Sequence, residues 1–341
     1  RDVVAGQCEL TRKGQVSGSV SLESGCVYSG PITITQSDTQ LSCNGAVIDG
    51  GGRQKNGIII NGKGKPINNV VVNDCVVRNF SGRGVWVTAG VKNPNWSTVV
   101  EENYKISPRN IVLDHLVIEN IGRGGVYFDS YVTDSVLKHS TVRGSGRVGV
   151  YLEQATQRIK VLNNTIAHNG RSEKLKGARD GLAIDSSAKN IIEGNKFIGN
   201  AAGGVYLYKN CGEKFSTGKS LIRWQHSDQN TIRNNFFKNE PVGIWVASRQ
   251  SKDLSKWDCG DPALDSAGKY FRDYANNNTL ESNKFCNVRT GIRLEGNNNI
   301  VINNSSNSQA NNWIDEPFKA HTLVGGGNSV GNRMSGNVVA D

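Results

Sequence analysis

Apolar and polar residues alternate along this chain in short runs, each opened by a glycine. The runs read Gly84-Val-Trp-Val-Thr88, Gly125-Val-Tyr-Phe-Asp129, Gly149-Val-Tyr-Leu-Glu153, Gly181-Leu-Ala-Ile-Asp185, Gly204-Val-Tyr-Leu-Tyr208, Gly243-Ile-Trp-Val-Ala247 and Gly291-Ile-Arg-Leu-Glu295. Strict alternation predicts strands with one buried face. A second strand accompanies each copy, as in Asn190-Ile-Ile-Glu-Gly-Asn195 and Asn278-Thr-Leu-Glu-Ser-Asn283, and others begin near Asn69, Asn110, Asp134, Arg158, Asn230 and Asn299. Where nothing intervenes the period is about two dozen residues, from Gly125 to Gly149 and from Gly181 to Gly204. Two or three short strands plus turns per period predict one coil of a parallel β-helix, with coils stacked about 4.8 Å apart. The expected organisation is one all-β solenoid domain over 1–341. It would have an N-terminal cap over 1–25, coils over 26–338, and insertions near 90–109, 170–179, 210–229 and 249–277.

Composition fits this reading. The 40 glycines and many asparagines suit a fold made of tight turns, since both residues tolerate positive φ. Hydrophobic residues make up 36% of the chain, and no apolar run approaches the roughly 18–20 residues that span a bilayer, so no membrane role is expected. The sequence begins Arg1-Asp2-Val3 and its only methionine is Met334, which leads us to expect a removed signal peptide or a trimmed chain. None of the seven cysteines forms a CxxC pair, which disfavours zinc and favours a secreted or periplasmic protein with disulfides. Cys26–Cys43 and Cys211–Cys259 are the expected pairs, and the odd count leaves one thiol over. The net charge of +10 predicts attraction to polyanions. No nucleic-acid-binding motif is visible and the basic residues are scattered, so an acidic polysaccharide is the expected partner, bound by a monomer.

The repeats resemble the pectate-lyase-like superfamily of right-handed parallel β-helix proteins, over roughly residues 26 to 338. That superfamily holds polysaccharide lyases, uronate C5-epimerases and several glycoside hydrolases. The resemblance implies the fold; it does not choose among activities. Aligning the second strands places Asn163, Asn195, Asn235, Asn283 and Asn304 in one column, continued by His115, His139 and Asp74 toward the N-terminus. This column reads as a structural ladder that satisfies turn backbone groups, which argues against a catalytic role for either histidine.

Chemistry is expected on the outward positions of the first strand. One column reads Trp86, Tyr127, Tyr151, Ala183, Tyr206, Trp245, Arg293, and aromatic faces suit sugar rings. The other reads Thr88, Asp129, Glu153, Asp185, Tyr208, Ala247, Glu295. Asp129, Glu153 and Asp185 on three consecutive coils would form either an acid/base set or an oxygen-rich cation site, for which Ca2+ is the candidate cofactor. Ala183 is expected to leave a gap in which a sugar could approach the carboxylates. The insertions would wall the cleft and bring in Arg171, Arg179, Asp180, Lys209, Arg223, His226, Arg249, Trp224 and Trp257. Lys209 and His226 are candidate bases for a β-elimination, which needs an unprotonated group near the substrate.

Three functions are compatible with these residues. The first is a lyase or epimerase that removes the proton α to a uronate carboxylate, with Lys209, His226 or a tyrosine as base; the basic net charge favours it. The second is a glycoside hydrolase with Asp129, Glu153 and Asp185 as acid/base carboxylates. The segment Asp180-Gly-Leu-Ala-Ile-Asp185-Ser-Ser resembles the first aspartate motif of polygalacturonases. The next coil, however, has Ala201-Ala-Gly-Gly204 where that family pairs its aspartates, and its Gly-His-Gly motif is missing. The third is a non-catalytic carbohydrate-binding β-helix, which would need the aromatics and not the carboxylates. Under the catalytic readings Trp86, Tyr127, Tyr151, Asp180, Tyr206, Tyr208, Trp245 and Arg249 would hold the substrate.

Overall fold

A computed structural model describes residues 8–261, 268–308, 312–316 and 329–340. Parts of the expected cap (1–7) and of the last insertion (262–267) lie outside the described residues. Alternation has the predicted effect: the strands form a right-handed parallel β-helix, and every strand ladder is parallel. Each coil contributes to three faces. On the first face lie Asn56–Asn61, Arg83–Thr88, Val126–Phe128, Val150–Leu152, Asp180–Asp185 and Gly203–Tyr208, continued by the ends of Phe236–Val246 and Lys284–Leu294. The second face is an 11-stranded sheet running from Ser19–Ser21 to Arg333–Ser335. The third includes Val117–Ile121, Thr141–Ser145, Thr165–Ala167 and Lys196–Ile198. Coil pairing starts inside the 1–25 segment, where Gln15–Val16 pairs with Thr33 and Ile34.

The core is a set of rows parallel to the helix axis. Ile58, Val85, Val126, Val150, Leu182, Val205, Ile244 and Ile292 are register partners, and all are fully buried. Phe197, Phe237 and Phe285 stack at 4.9 Å, the spacing of the coils themselves.

Buried asparagines run beside these rows. One ladder is Asn164, Asn195, Asn235, Asn283, Asn304 and Asn337: from Asn195 onward each Oδ1 accepts the backbone N–H and the Nδ2 of the asparagine one coil earlier. A second ladder links Asn190, Asn230, Asn278, Asn299 and Asn332. The expected column needs a correction of one residue. Asp74, His115, His139 and Asn163 sit with φ of 50–56° in the left-handed region, one position before the ladder. Gly194 and Gly336 share that position, because glycine and asparagine are the residues best suited to it.

Three disulfides form, Cys8–Cys26, Cys43–Cys75 and Cys211–Cys259, leaving Cys286 as a free thiol. The expected Cys26–Cys43 bridge is therefore replaced. Val27 pairs with Val47, which sets Cys26 opposite Ala46 and not Cys43. Cys43 instead meets Cys75 across the turns of consecutive coils, with Cα atoms 4.9 Å apart.

Candidate active site on the first face

Register pairing puts Trp86, Tyr127, Tyr151, Ala183, Tyr206, Trp245 and Arg293 in one outward column, as the alternation predicts. The Tyr127 and Tyr151 rings stack at 4.9 Å, Tyr206 meets Trp245 edge-on, and Arg83 lies over both Trp86 and Tyr127. The aromatics are half-buried. Ala183 leaves no gap. It is fully buried in a cluster with Val148, Tyr151, Tyr206 and Tyr208, since larger neighbours close over a small side chain.

The second column is roofed by the insertions. The segment after Tyr208 crosses it: Gln225 donates to the carbonyls of Thr156 and Ser186, and Ser227 to those of Ile184 and Tyr208. Trp224 donates to the Tyr131 hydroxyl, beside an aromatic cluster with Trp96 and Tyr104 of the first insertion, and remains largely exposed. Cys211–Cys259 ties this segment to the last insertion.

Beneath the roof the three expected carboxylates have separate partners. Asp129 accepts from Trp86 Nε1 at 3.1 Å, Thr88 Oγ1 at 3.0 Å and the Ser130 N–H at 2.8 Å. Glu153 accepts from the Tyr127 hydroxyl at 2.5 Å and the Gln154 N–H, and pairs with Arg223. Asp185 accepts from Tyr151, Ser186 and the Asn210 N–H, and also pairs with Arg223. Burial pushes the Glu153 carboxyl up, and Arg223 opposes that push. Burial works against the Arg223 charge too, but Asp185 and Glu153 raise its pKa well above the ordinary arginine value. These oxygens do not fit Ca2+, which takes roughly 6–8 oxygen ligands, because N–H, O–H and guanidinium donors already occupy them. Among the described residues no three such groups converge on a metal position.

Asp180 stands apart. It begins the strand that ends at Asp185, is 5% exposed, and its Oδ2 has no hydrogen-bond partner. Burial drives its pKa up to about 7, against the pull of Arg179 and Arg249. Arg249 lies over the rings of Tyr208 and Trp257 and pairs with Glu213 at 2.7 Å. Burial raises the Tyr127, Tyr151 and Tyr208 hydroxyls well above their ordinary range, so all stay protonated near neutrality.

The two expected bases differ. Lys209 is buried against Asp261 in an ion pair, and its N–H donates to Asp273. That pair occupies the Lys209 Nζ and holds it away from a substrate. His226 is half-buried, meets Tyr274 edge-on, and has an unpartnered Nδ1; burial and then Lys209 lower its pKa. Arg171 stays exposed on its insertion. Residues not anticipated are Asp273 and Glu295, buried carboxyls raised to about 7 and about 9, chiefly by burial. Glu295 stands in the outward carboxylate column, but nothing in the sequence shows how deeply the last insertion covers it.

The right handed beta helix region model matches residues 32–221, and the chain belongs to that family. A second model, that of the periplasmic copper-binding protein NosD, matches residues 163–332. No curated protein sequence matches the chain. Among solved structures, the chain is similar to the A-module of the mannuronan C-5 epimerase AlgE6 of Azotobacter vinelandii, at 14% identity and TM-score 0.53, covering 95% of this chain and 91% of that one. It is also similar to the tailspike protein of E. coli bacteriophage HK620 in complex with a pentasaccharide, at 13% identity and TM-score 0.54, covering 98% of this chain and 58% of the tailspike chain. An alginate lyase from Paenibacillus aligns at 12% identity and TM-score 0.47, covering 97% and 92% of the two chains. The likenesses to the epimerase module and the tailspike show the fold.

Proposed function

We propose that this protein is a polysaccharide-cleaving enzyme that lays its substrate along the aromatic column and hydrolyses a glycosidic bond beside Asp180. The observation that carries this reading is the contrast between two carboxyls of one strand. Asp185 is saturated by Arg223, Tyr151, Ser186 and a backbone N–H, whereas Asp180 has a free oxygen and a pKa raised to about 7. Glycoside hydrolysis uses such an asymmetric pair, with a protonated acid for the leaving oxygen and a carboxylate for water or the sugar carbon. Asp180 is the acid. Asp185, or Glu153 one coil earlier, is the carboxylate once substrate displaces the donors that hold it, and Asp129 positions Trp86. The pentasaccharide bound by the tailspike and the mannuronan named for the epimerase support a glycan as the ligand. The three disulfides suit a secreted or periplasmic protein.

A second reading, β-elimination on a uronate polymer, is favoured by His226, whose pKa is lowered by burial and then by Lys209 and whose buried Nδ1 has no partner. One incubation with a panel of polysaccharides separates the two. New reducing ends without unsaturated-uronate absorbance indicate hydrolysis; a rise in that absorbance indicates elimination and overturns the hydrolytic reading.

A further inference from the structure

The register that pairs Val126 with Val150, and Val150 with Leu182, can be carried back three residues. It then aligns Arg123, Arg147 and Arg179 on the turns that lead into the first face. Backbone bonds agree: the Arg147 N–H donates to the Arg123 carbonyl at 3.1 Å, and the Ala202 N–H donates to that of Arg179 at 2.8 Å. Three cations thus repeat at about the 4.8 Å coil spacing along one edge of the aromatic column. Arg123 and Arg179 are exposed, and among the described residues no carboxylate forms a salt bridge with any of the three. The contrast with other arginines is informative. Arg78, Arg143, Arg158 and Arg233, on the other faces, each pair with a carboxylate one coil away. Those four are each neutralised by a neighbouring coil, whereas no salt bridge reaches this row.

The row also repels itself. After burial, Arg123 and Arg179 are what lower the Arg147 pKa, and Arg147 Nε is buried without a partner. Lys252 adds a further positive charge near the Trp245 ring. Such a row is costly in the free protein and favourable once a polyanion lies on it.

We infer that Arg123, Arg147 and Arg179 form an anion-binding rail that holds successive acidic groups of a polysaccharide lying along the helix axis. This rests on the reading of the first face as a glycan site and names its substrate class, a polymer carrying carboxylate or sulfate groups. The test is affinity electrophoresis at low salt with polygalacturonate and its carboxyl-reduced form, and with dextran sulfate and dextran. The proteins compared are the wild type, Arg123→Gln/Arg147→Gln/Arg179→Gln, and a charge-matched control, Lys63→Gln/Lys160→Gln/Lys189→Gln, whose lysines are exposed away from this edge. The expected result is tenfold or greater weakening for the arginine variant on a charged polymer and less than twofold for the control. Binding should weaken with added salt in the wild type. Whichever charged polymer shows this pattern identifies the acidic group. Equal affinity of wild type and arginine variant, or equal binding of the neutral polymers, overturns the rail. Retention through the arginines without cleavage would leave the rail standing and remove the hydrolytic reading. Cleavage of a neutral polymer, indifferent to the arginines, would do the reverse.

Discussion

Glu153 and Asp185, neighbours in one outward column, share a single guanidinium nitrogen: Arg223 Nη1 is 2.5 Å from Glu153 and 3.0 Å from Asp185. The arginine comes from an insertion, so the regular coils supply the negative charges and the irregular segment supplies the charge that allows them to sit together.

Removing that counter-charge should be costly. Arg223→Gln leaves two buried carboxylates facing each other, and the expected loss at pH 7 is about 3–5 kcal/mol. Burial already raises the Glu153 pKa, so protonation at lower pH should restore part of the loss. Urea unfolding of both proteins at pH 5 and pH 7 checks this. A variant equally stable at both pH values would contradict it.

Activity should depend on the proton of Asp180. Its pKa is raised to about 7, and the acid works only while protonated, so the rate should fall as pH rises through about 7. Asp180→Asn should lower the rate by about 10²–10⁴-fold and leave no alkaline limb near 7. A pH–rate profile of reducing-end release shows both effects.

The asparagine ladder should be far less tolerant than the position beside it. Asn235 accepts from the Asn195 backbone and side chain, and donates to the Ile192 carbonyl and to Asn283. Asn235→Ala strands several buried groups and should cost about 3 kcal/mol or more. Asn163→Gly, at an exposed left-handed position, should change stability by less than about 0.5 kcal/mol. Thermal or urea denaturation distinguishes the two variants.

Glu240 ends a third ladder, in which Asn200 donates to Glu240 Oε2 at 2.6 Å and Oε1 has no partner. Burial raises its pKa to about 8, so the folded state holds a proton that the unfolded chain releases near 4.5. Stability from this site is complete below about 4.5 and is lost as pH rises toward 8. Glu240→Gln should therefore unfold at higher urea than the wild type at pH 9, by a few kcal/mol at most, and match it at pH 4.5. A variant weaker than the wild type at pH 9 would contradict this assignment.

The sequence was most legible where the period of two operates. The Trp86-to-Arg293 column follows from alternation alone, because each side chain's direction is fixed by its parity within a strand. It was less legible at turns. Asn163 and Asn164 are both asparagine, and the choice between a left-handed turn position and a ladder rung depends on backbone geometry that spacing does not encode. The roof was hardest to read. Arg223, Asp261 and Asp273 meet their partners across sequence gaps set by loop conformation, so the ion pair that occupies Lys209 had no local signature. The arginine rail did have one: arginine stands two residues before the repeat glycine in Arg123-Gly-Gly125, Arg147-Val-Gly149 and Arg179-Asp-Gly181.

The uninterrupted period between Gly125 and Gly149 makes the molecule a ruler. Distance along its axis is counted in whole coils, and every coil brings one rung of core and one outward tyrosine or its substitute. A longer binding track needs no new architecture, only another two dozen or so residues added in phase. A single residue added to a first-face strand out of phase would turn its aromatic into the core and its core residue into the solvent.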